Sequence, residues 1–245
     1  MPEKTPEQEK PRKKVLLLGD SHAHCVSVMK VDADIVLCKR QSATAYGVNK
    51  PDSETNSNSF FLNFLQDRPT PDVFTPSRVY HAALSDKPAD FICFMLGEVD
   101  CRSMAHKKGL ENWKETLTHS ANNLVKFIQT NLKGFPPERI ALLHPHLSKS
   151  AEMRNGWWPG MNKFEALKKI TQFTLFYSSK LDELATESNY ISFGINNEIL
   201  DPETGVALPE LLANEKDKWH LDRPNKNGEN LLEKLWAEKF QKYIL

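Results

Sequence analysis

Lys13-Lys14-Val15-Leu16-Leu17-Leu18-Gly19-Asp20-Ser21-His22 decides the fold class. Val15 to Leu18 is a short apolar run without polar alternation, the pattern of a strand buried on both faces. Gly19 and Asp20 break it, and a helix-like segment from His22 to Lys30 follows. A strand that turns sharply into a helix sets Ser21 at the helix start, where backbone N–H groups face outward. Four more runs of this kind lie downstream: Asp34–Leu37, Phe91–Leu96, Ile140–Leu143 and Tyr190–Phe193.

Helical patterns separate the later runs. Leu110, Trp113, Leu117, Leu124, Ile128 and Leu132 share one helical stripe, which Gly134 and Pro136-Pro137 end. Phe164, Leu167, Ile170, Thr174, Leu181 and Leu184 form a second, within Met161 to Leu184. Leu232, Leu235, Trp236, Phe240 and Tyr243 form a third. Alternating strands and helices predict an α/β domain with a mostly parallel sheet of about five strands and helices on both faces. Right-handed crossovers then align the strand C-terminal ends along one edge, where sites form. Pro51 to Pro88 is the least regular stretch, with a polar segment Asp52–Ser59, a short helix expected at Phe60–Asp67, and Pro69, Pro71 and Pro76. It is expected as a surface excursion near that edge.

The chain has 245 residues, enough for one large domain. No linker or repeat divides it, so residues 14–245 read as one domain after an arm at 1–13 that is Glu/Lys/Pro-rich and expected to be disordered. Basic and acidic residues number 32 each, so no overall field favours nucleic acid or an anionic membrane. No apolar run reaches the roughly 20 residues that span a bilayer, and the N-terminus lacks a secretory h-region; the expectation is a cytoplasmic protein. Cys25, Cys38, Cys93 and Cys101 form no C-x-x-C pair and read as free thiols.

Chemistry is suggested by a pairing of motifs. A serine hydroxyl needs a base within hydrogen-bond reach, and the base needs a group that fixes its tautomer. Ser21 is the candidate nucleophile. Near the other end, Asp217-Lys218-Trp219-His220-Leu221 offers His220 as base and Asp217 to orient it. Taken singly, Gly-Asp-Ser is more often a plain turn with a helix cap, and His220 a surface histidine; together, in this order, they suggest a serine hydrolase.

With these motifs, most of the chain, from about Lys14 to Gly228, resembles the SGNH hydrolases, or GDSL esterases. Gly19-Asp20-Ser21 matches the first block and Asp217-x-x-His220-Leu221 the last. The resemblance implies a three-layer flavodoxin-like fold and a Ser21–His220–Asp217 triad. It places Gly47, in the loop Gln41 to Val48, among the donors of an oxyanion hole with the Ser21 N–H. The third block departs from the pattern. Where the family has Gly-x-Asn-Asp, this chain has Gly97-Glu98-Val99-Asp100-Cys101-Arg102, and valine cannot donate to an oxyanion. Losing one such donor costs on the order of a hundredfold to a thousandfold in turnover. Arg102 is near enough in sequence to substitute; the alternative is that Glu98, Asp100 and Arg102 form a structural ion-pair cluster.

Asp20-Ser21-His22, His22-x-His24 and His144-x-His146 also suit a two-metal phosphoesterase, but the Gly-Asn-His segment of that class is missing. Trp157-Trp158, in the loop after the fourth strand, could stack on a sugar or pack under the next helix. Cys101 lacks a histidine partner by motif and reads as inert. The resulting expectation is an esterase that removes a small acyl group such as acetyl, on family habit from a carbohydrate, through an acyl-enzyme and with no cofactor. The alternatives are an O-acyltransferase on the same fold and a non-catalytic glycan-binding protein. The expected partner is a small-molecule or glycan ester.

Overall fold

A computed structural model describes residues 12–40, 43–50, 61, 65, 89–153, 157–212, 221 and 230–245. Five strands, β1 (Lys13–Gly19), β2 (Ala33–Lys39), β3 (Phe91–Met95), β4 (Ile140–Leu143) and β5 (Ile191–Phe193), form one sheet. All neighbours are parallel and the order is β2-β1-β3-β4-β5. The expected α/β, three-layer flavodoxin-like fold is therefore present. Each predicted strand lies within two residues of an observed one. β1 begins at Lys13, inside the segment read as an arm, and Arg12 donates to the Val31 and Ala33 carbonyls beside β2.

The unalternating strand sequences have a direct cause, since both faces are covered. Leu16, Leu18, Val36, Ile92, Phe94, Ile140 and Leu142 pack on one side with residues of α3 (Trp113–Asn131) and α4 (Lys163–Ser188). Val15, Leu17, Leu37, Cys93, Met95, Ala141 and Leu143 pack on the other, with α1 (His24–Ser27) and α6 (Leu231–Tyr243). Trp236 and Phe240 of α6 are fully buried there. Each fully buried side chain of this size is worth about 1.5–3 kcal/mol, so the strand residues are committed on both sides. Two short α-helices, α2 (Ala105–Lys107) and α5 (Asn196–Ile199), lie between these elements.

α4 starts where its sequence says it should. The Asn162 side chain accepts from the N–H groups of Phe164 and Glu165, and Glu165 returns a bond to the Asn162 N–H, a capping box. The helix expected over His22 to Lys30 is shorter than its sequence suggested. A single tight turn, Ser21–Ala23, leads into the four residues of α1. The helix at Phe60–Asp67 and the excursion from Pro51 to Pro88 fall almost wholly outside the described residues; Phe61 is buried in the α3/α4 core. Among the described residues no helix is long and apolar enough to cross a membrane.

Candidate active site

The strand order reverses at β1. Its two neighbours, β2 and β3, lie on opposite sides of it, and such a reversal of strand order opens a crevice at the carboxyl ends. Ser21 stands there, immediately after β1 and half-buried. The tight approach explains Gly19. A Cβ on it would lie 2.6 Å from the Ala23 Cβ and 2.7 Å from the Met95 carbonyl oxygen, so no larger residue fits without moving β3. Asp20 caps the turn, its Oδ1 accepting the His22 N–H at 2.8 Å.

Beneath Ser21 lies a buried charged network. His22 Nδ1 is 3.3 Å from Asp20 Oδ1 and 3.6 Å from Glu98 Oε2. Glu98 is fully buried, and its Oε1 accepts from Arg102 Nε and from the Ser148 hydroxyl, both at 2.8 Å. Burial alone would raise the Glu98 pKa, but His22 and Arg102 outweigh it and hold this carboxyl below its usual value. Burial also disfavours the Arg102 charge, and Glu98 more than offsets it, pushing the guanidinium further up. Glu98 and Arg102 are thus mutually charged.

Asp100 does something different. Its carboxylate accepts the Ala45 and Tyr46 N–H groups, each at 2.9 Å, and the Ser120 hydroxyl at 3.0 Å. It ties the loop after β2 to α3 across the third block. Burial dominates its titration, raising the pKa to about 6 against the pull of those three bonds, with the Asp20 charge pushing the same way as burial. The backbone between Glu98 and Arg102 supports both arrangements. Asp100–Met104 is a π-helical turn, a form common at functional sites. Gly97 has φ +125°, and a Cβ there would strike the Tyr177 ring at 2.2 Å, so only glycine opens this loop. The Tyr177 hydroxyl is fully buried without a hydrogen-bond partner among the described residues, and burial raises its pKa.

The structure brings Ser21, Asp20, His22, Glu98, Asp100 and Arg102 to one end of the β1–β3 boundary. Asp217 and His220 lie outside the described residues. Gly47 is buried, and its N–H donates to its own loop, to Thr44 Oγ1 at 3.1 Å. Trp158 is buried against His106 and Phe173, its indole N–H donating to the Glu152 carbonyl; this is the packing alternative, under the following helix. Trp157 is half-buried over His106, with ring centroids 4.0 Å apart. Cys101 is fully buried, and burial raises its thiol pKa, as an inert thiol requires.

Of the histidines weighed for metal, His146 is buried and accepts from Trp236 Nε1 at 2.6 Å, which fixes it in the core. His144 Nε2 meets Asp182 Oδ1 at 2.8 Å and Ser192 Oγ at 3.1 Å. Among the described residues no group of three or more His, Cys, Asp or Glu side chains is arranged around one point as a metal would need. Ser148, Thr44 and Ser120 are the residues sequence reading missed. Ser148 and Ser120 join by contacts distant in sequence, Thr44 by a turn of its own loop, and no motif marks any of them.

No protein-family model matches the chain, and no curated protein matches its sequence. Solved structures do share its architecture. A GDSL-like lipase from Bacteroides thetaiotaomicron VPI-5482 superposes with a TM-score of 0.53 at 14% identity, covering 94% of this chain and 88% of that one. The inhibitor-bound aryl esterase of M. smegmatis gives 0.52 at 14% identity, over 95% of this chain and 100% of that one. At such identity the likeness establishes the α/β architecture, one that GDSL-type hydrolases share.

Proposed function

We propose that the chain is a serine ester hydrolase of the SGNH type. The observation that carries this reading is the position of Ser21: half-exposed, at the reversal point of the sheet, above a buried network of Asp20, His22, Glu98 and Arg102. In this reading His220 accepts the Ser21 proton as the hydroxyl attacks the ester carbonyl, and Asp217 orients the imidazole. The protonated His220 then gives its proton to the departing alkoxide. Water, deprotonated by His220, releases the acyl group from Ser21. Leu221, next in sequence to His220, is buried in the same apolar layer as Ala23, two residues beyond Ser21.

The oxyanion donors in this scheme are the Ser21 N–H and Arg102. With valine in place of the family's asparagine and the Gly47 N–H engaged by Thr44, the cationic donor carries more of the load. Glu98 and Ser148 then act as positioning residues, because Glu98 accepts from Arg102 Nε and the Ser148 hydroxyl holds the same Glu98 oxygen. A small acyl group on a carbohydrate is the substrate we infer, with Trp157 the tryptophan still reaching the surface. The same two features, Val99 and the engaged Gly47 N–H, favour one second reading, a glycan-binding protein that keeps the fold without turnover. Hydrolysis of p-nitrophenyl acetate separates the two. Turnover that vanishes in both Ser21→Ala and His220→Ala supports the esterase; a folded chain without turnover supports the binding protein.

A further inference from the structure

One surface feature lies outside the catalytic scheme. A groove of about 680 Å³ runs between the loop at 43–50 and the N-terminal half of α3, with Tyr46, Lys108, Asn112, Thr118, His119 and Asn122 among its lining residues. That volume suits a mono- or disaccharide-sized ligand. Its wall is held in place. Asn123 Nδ2 donates to the Tyr46 carbonyl at 2.9 Å, Asn49 Nδ2 donates to the Asn123 carbonyl at 2.6 Å, and Asp100 holds the Tyr46 N–H from within.

The charge arrangement here is unusual. Lys50 Nζ lies 4.3 Å and Lys108 Nζ 5.5 Å from the centroid of the same Tyr46 ring. Among the described residues neither ammonium has a carboxylate at ion-pair distance. Lys108 and Lys114 line the groove, Lys50 stands beside it over the Tyr46 ring, and Glu115 is the one carboxylate among the described lining residues. The negative face of a tyrosine ring attracts an ammonium, but two like charges at one ring repel each other. An anion between them would relieve that repulsion. The amides of Asn112 and Asn122 and the Thr118 hydroxyl offer paired donors and acceptors, the chemistry that reads sugar hydroxyls.

We propose that this groove is a subsite for an anionic saccharide, whose carboxylate or phosphate sits between the Lys50 and Lys108 ammonium groups while its hydroxyls meet Asn112, Thr118 and Asn122. The assignment deepens the esterase reading and rests on it for the acyl group: the ester is carried on an acidic sugar, and Tyr46 links the subsite to the Asp100-anchored loop beside β1.

Calorimetric titration of the full chain with trigalacturonate, glucose 6-phosphate and maltotriose tests this directly. At least one of the two anions should bind, more weakly as salt rises, and maltotriose should bind about tenfold less well or worse. The double variant Lys50→Met, Lys108→Met keeps the apolar stems and should weaken anion binding by about tenfold to a hundredfold. Failure of both anions to bind, equal binding of maltotriose, or unchanged binding in the double variant would overturn the proposal. Titration reads binding alone, so its outcome is independent of turnover. A chain that binds trigalacturonate through the two lysines yet never hydrolyses p-nitrophenyl acetate keeps the subsite and sinks the esterase; the reverse pattern sinks the subsite and keeps the esterase.

Discussion

Two serines near the carboxyl edge of the sheet invite comparison. Ser192 has a histidine and an aspartate at hand: His144 Nε2 contacts both its hydroxyl and Asp182. Ser21 has neither within a described contact, but it occupies the reversal point of the strand order. The Ser192 cluster fails as a relay for a simple reason. Both partners meet the same ring nitrogen, which holds at most one proton, so the imidazole cannot be oriented by one and accept from the other. Ser192 also sits inside edge strand β5, its hydroxyl donating to the Leu142 carbonyl, and a Cβ on Gly194 would lie 2.4 Å from the His144 Cβ and 2.7 Å from its ring. The cluster staples β4 and β5 to α4. The presence of the right residue types is therefore a poorer guide than which atoms they present and where in the sheet they stand.

The sharpest way to break this comparison is to remove each hydroxyl. Ser21→Ala should lower p-nitrophenyl acetate turnover by about 10⁴-fold or more, and Ser192→Ala should leave it within about twofold, since the staple touches no reacting group. A large loss in Ser192→Ala would reverse the assignment. The next largest effect belongs to Arg102. Arg102→Met should cut turnover by about a hundredfold while KM moves little, as expected of a donor that acts on the transition state; a rise in KM at constant turnover would make Arg102 a binding residue instead.

Asp100 carries a smaller and purely structural load. Asp100→Ala strands the Ala45 and Tyr46 N–H groups and should cost about 2 kcal/mol at pH 7 in urea unfolding. Its pH dependence has a definite sign. Because the folded-state pKa is raised from 3.8 to about 6, the native chain binds the proton more tightly, so this group makes the wild type less stable as pH rises from about 4 to about 6, by as much as about 3 kcal/mol. The deficit of the variant should widen on going from pH 7 to pH 4; a deficit independent of pH would remove Asp100 from that role. The smallest effect is at the staple. Asp182 is more than half exposed, and Asp182→Asn should cost no more than about 1 kcal/mol by the same assay.

Much of this architecture is legible in the sequence because both faces of the sheet are buried. Val15 to Leu18 and Ile140 to Leu143 declare themselves by unbroken apolar character, and α4 by its apolar stripe from Phe164 to Leu184. Ser21 is legible because glycine and aspartate must follow a strand that turns so sharply. What escapes is whatever depends on contacts distant in the chain. Asp100 looks like a charged site residue in sequence, yet it anchors a loop 54 and 55 residues upstream. Gly47 looks like an oxyanion donor until Thr44 is seen to take its N–H. The adjacent Trp157 and Trp158 read alike, and only packing separates a buried Trp158 from a half-exposed partner. His22 to Lys30 reads as a helix, but the tight turn at Ser21–Ala23 leaves only four residues for it.

The central claim, that Ser21 is the nucleophile, is tested most directly by reacting the folded protein with a fluorophosphonate and locating the adduct by peptide mass spectrometry. The account predicts one stoichiometric adduct on Ser21, absent in Ser21→Ala and in His220→Ala. An adduct on Ser192 or another serine, or no adduct on a protein that still hydrolyses p-nitrophenyl acetate, would contradict it.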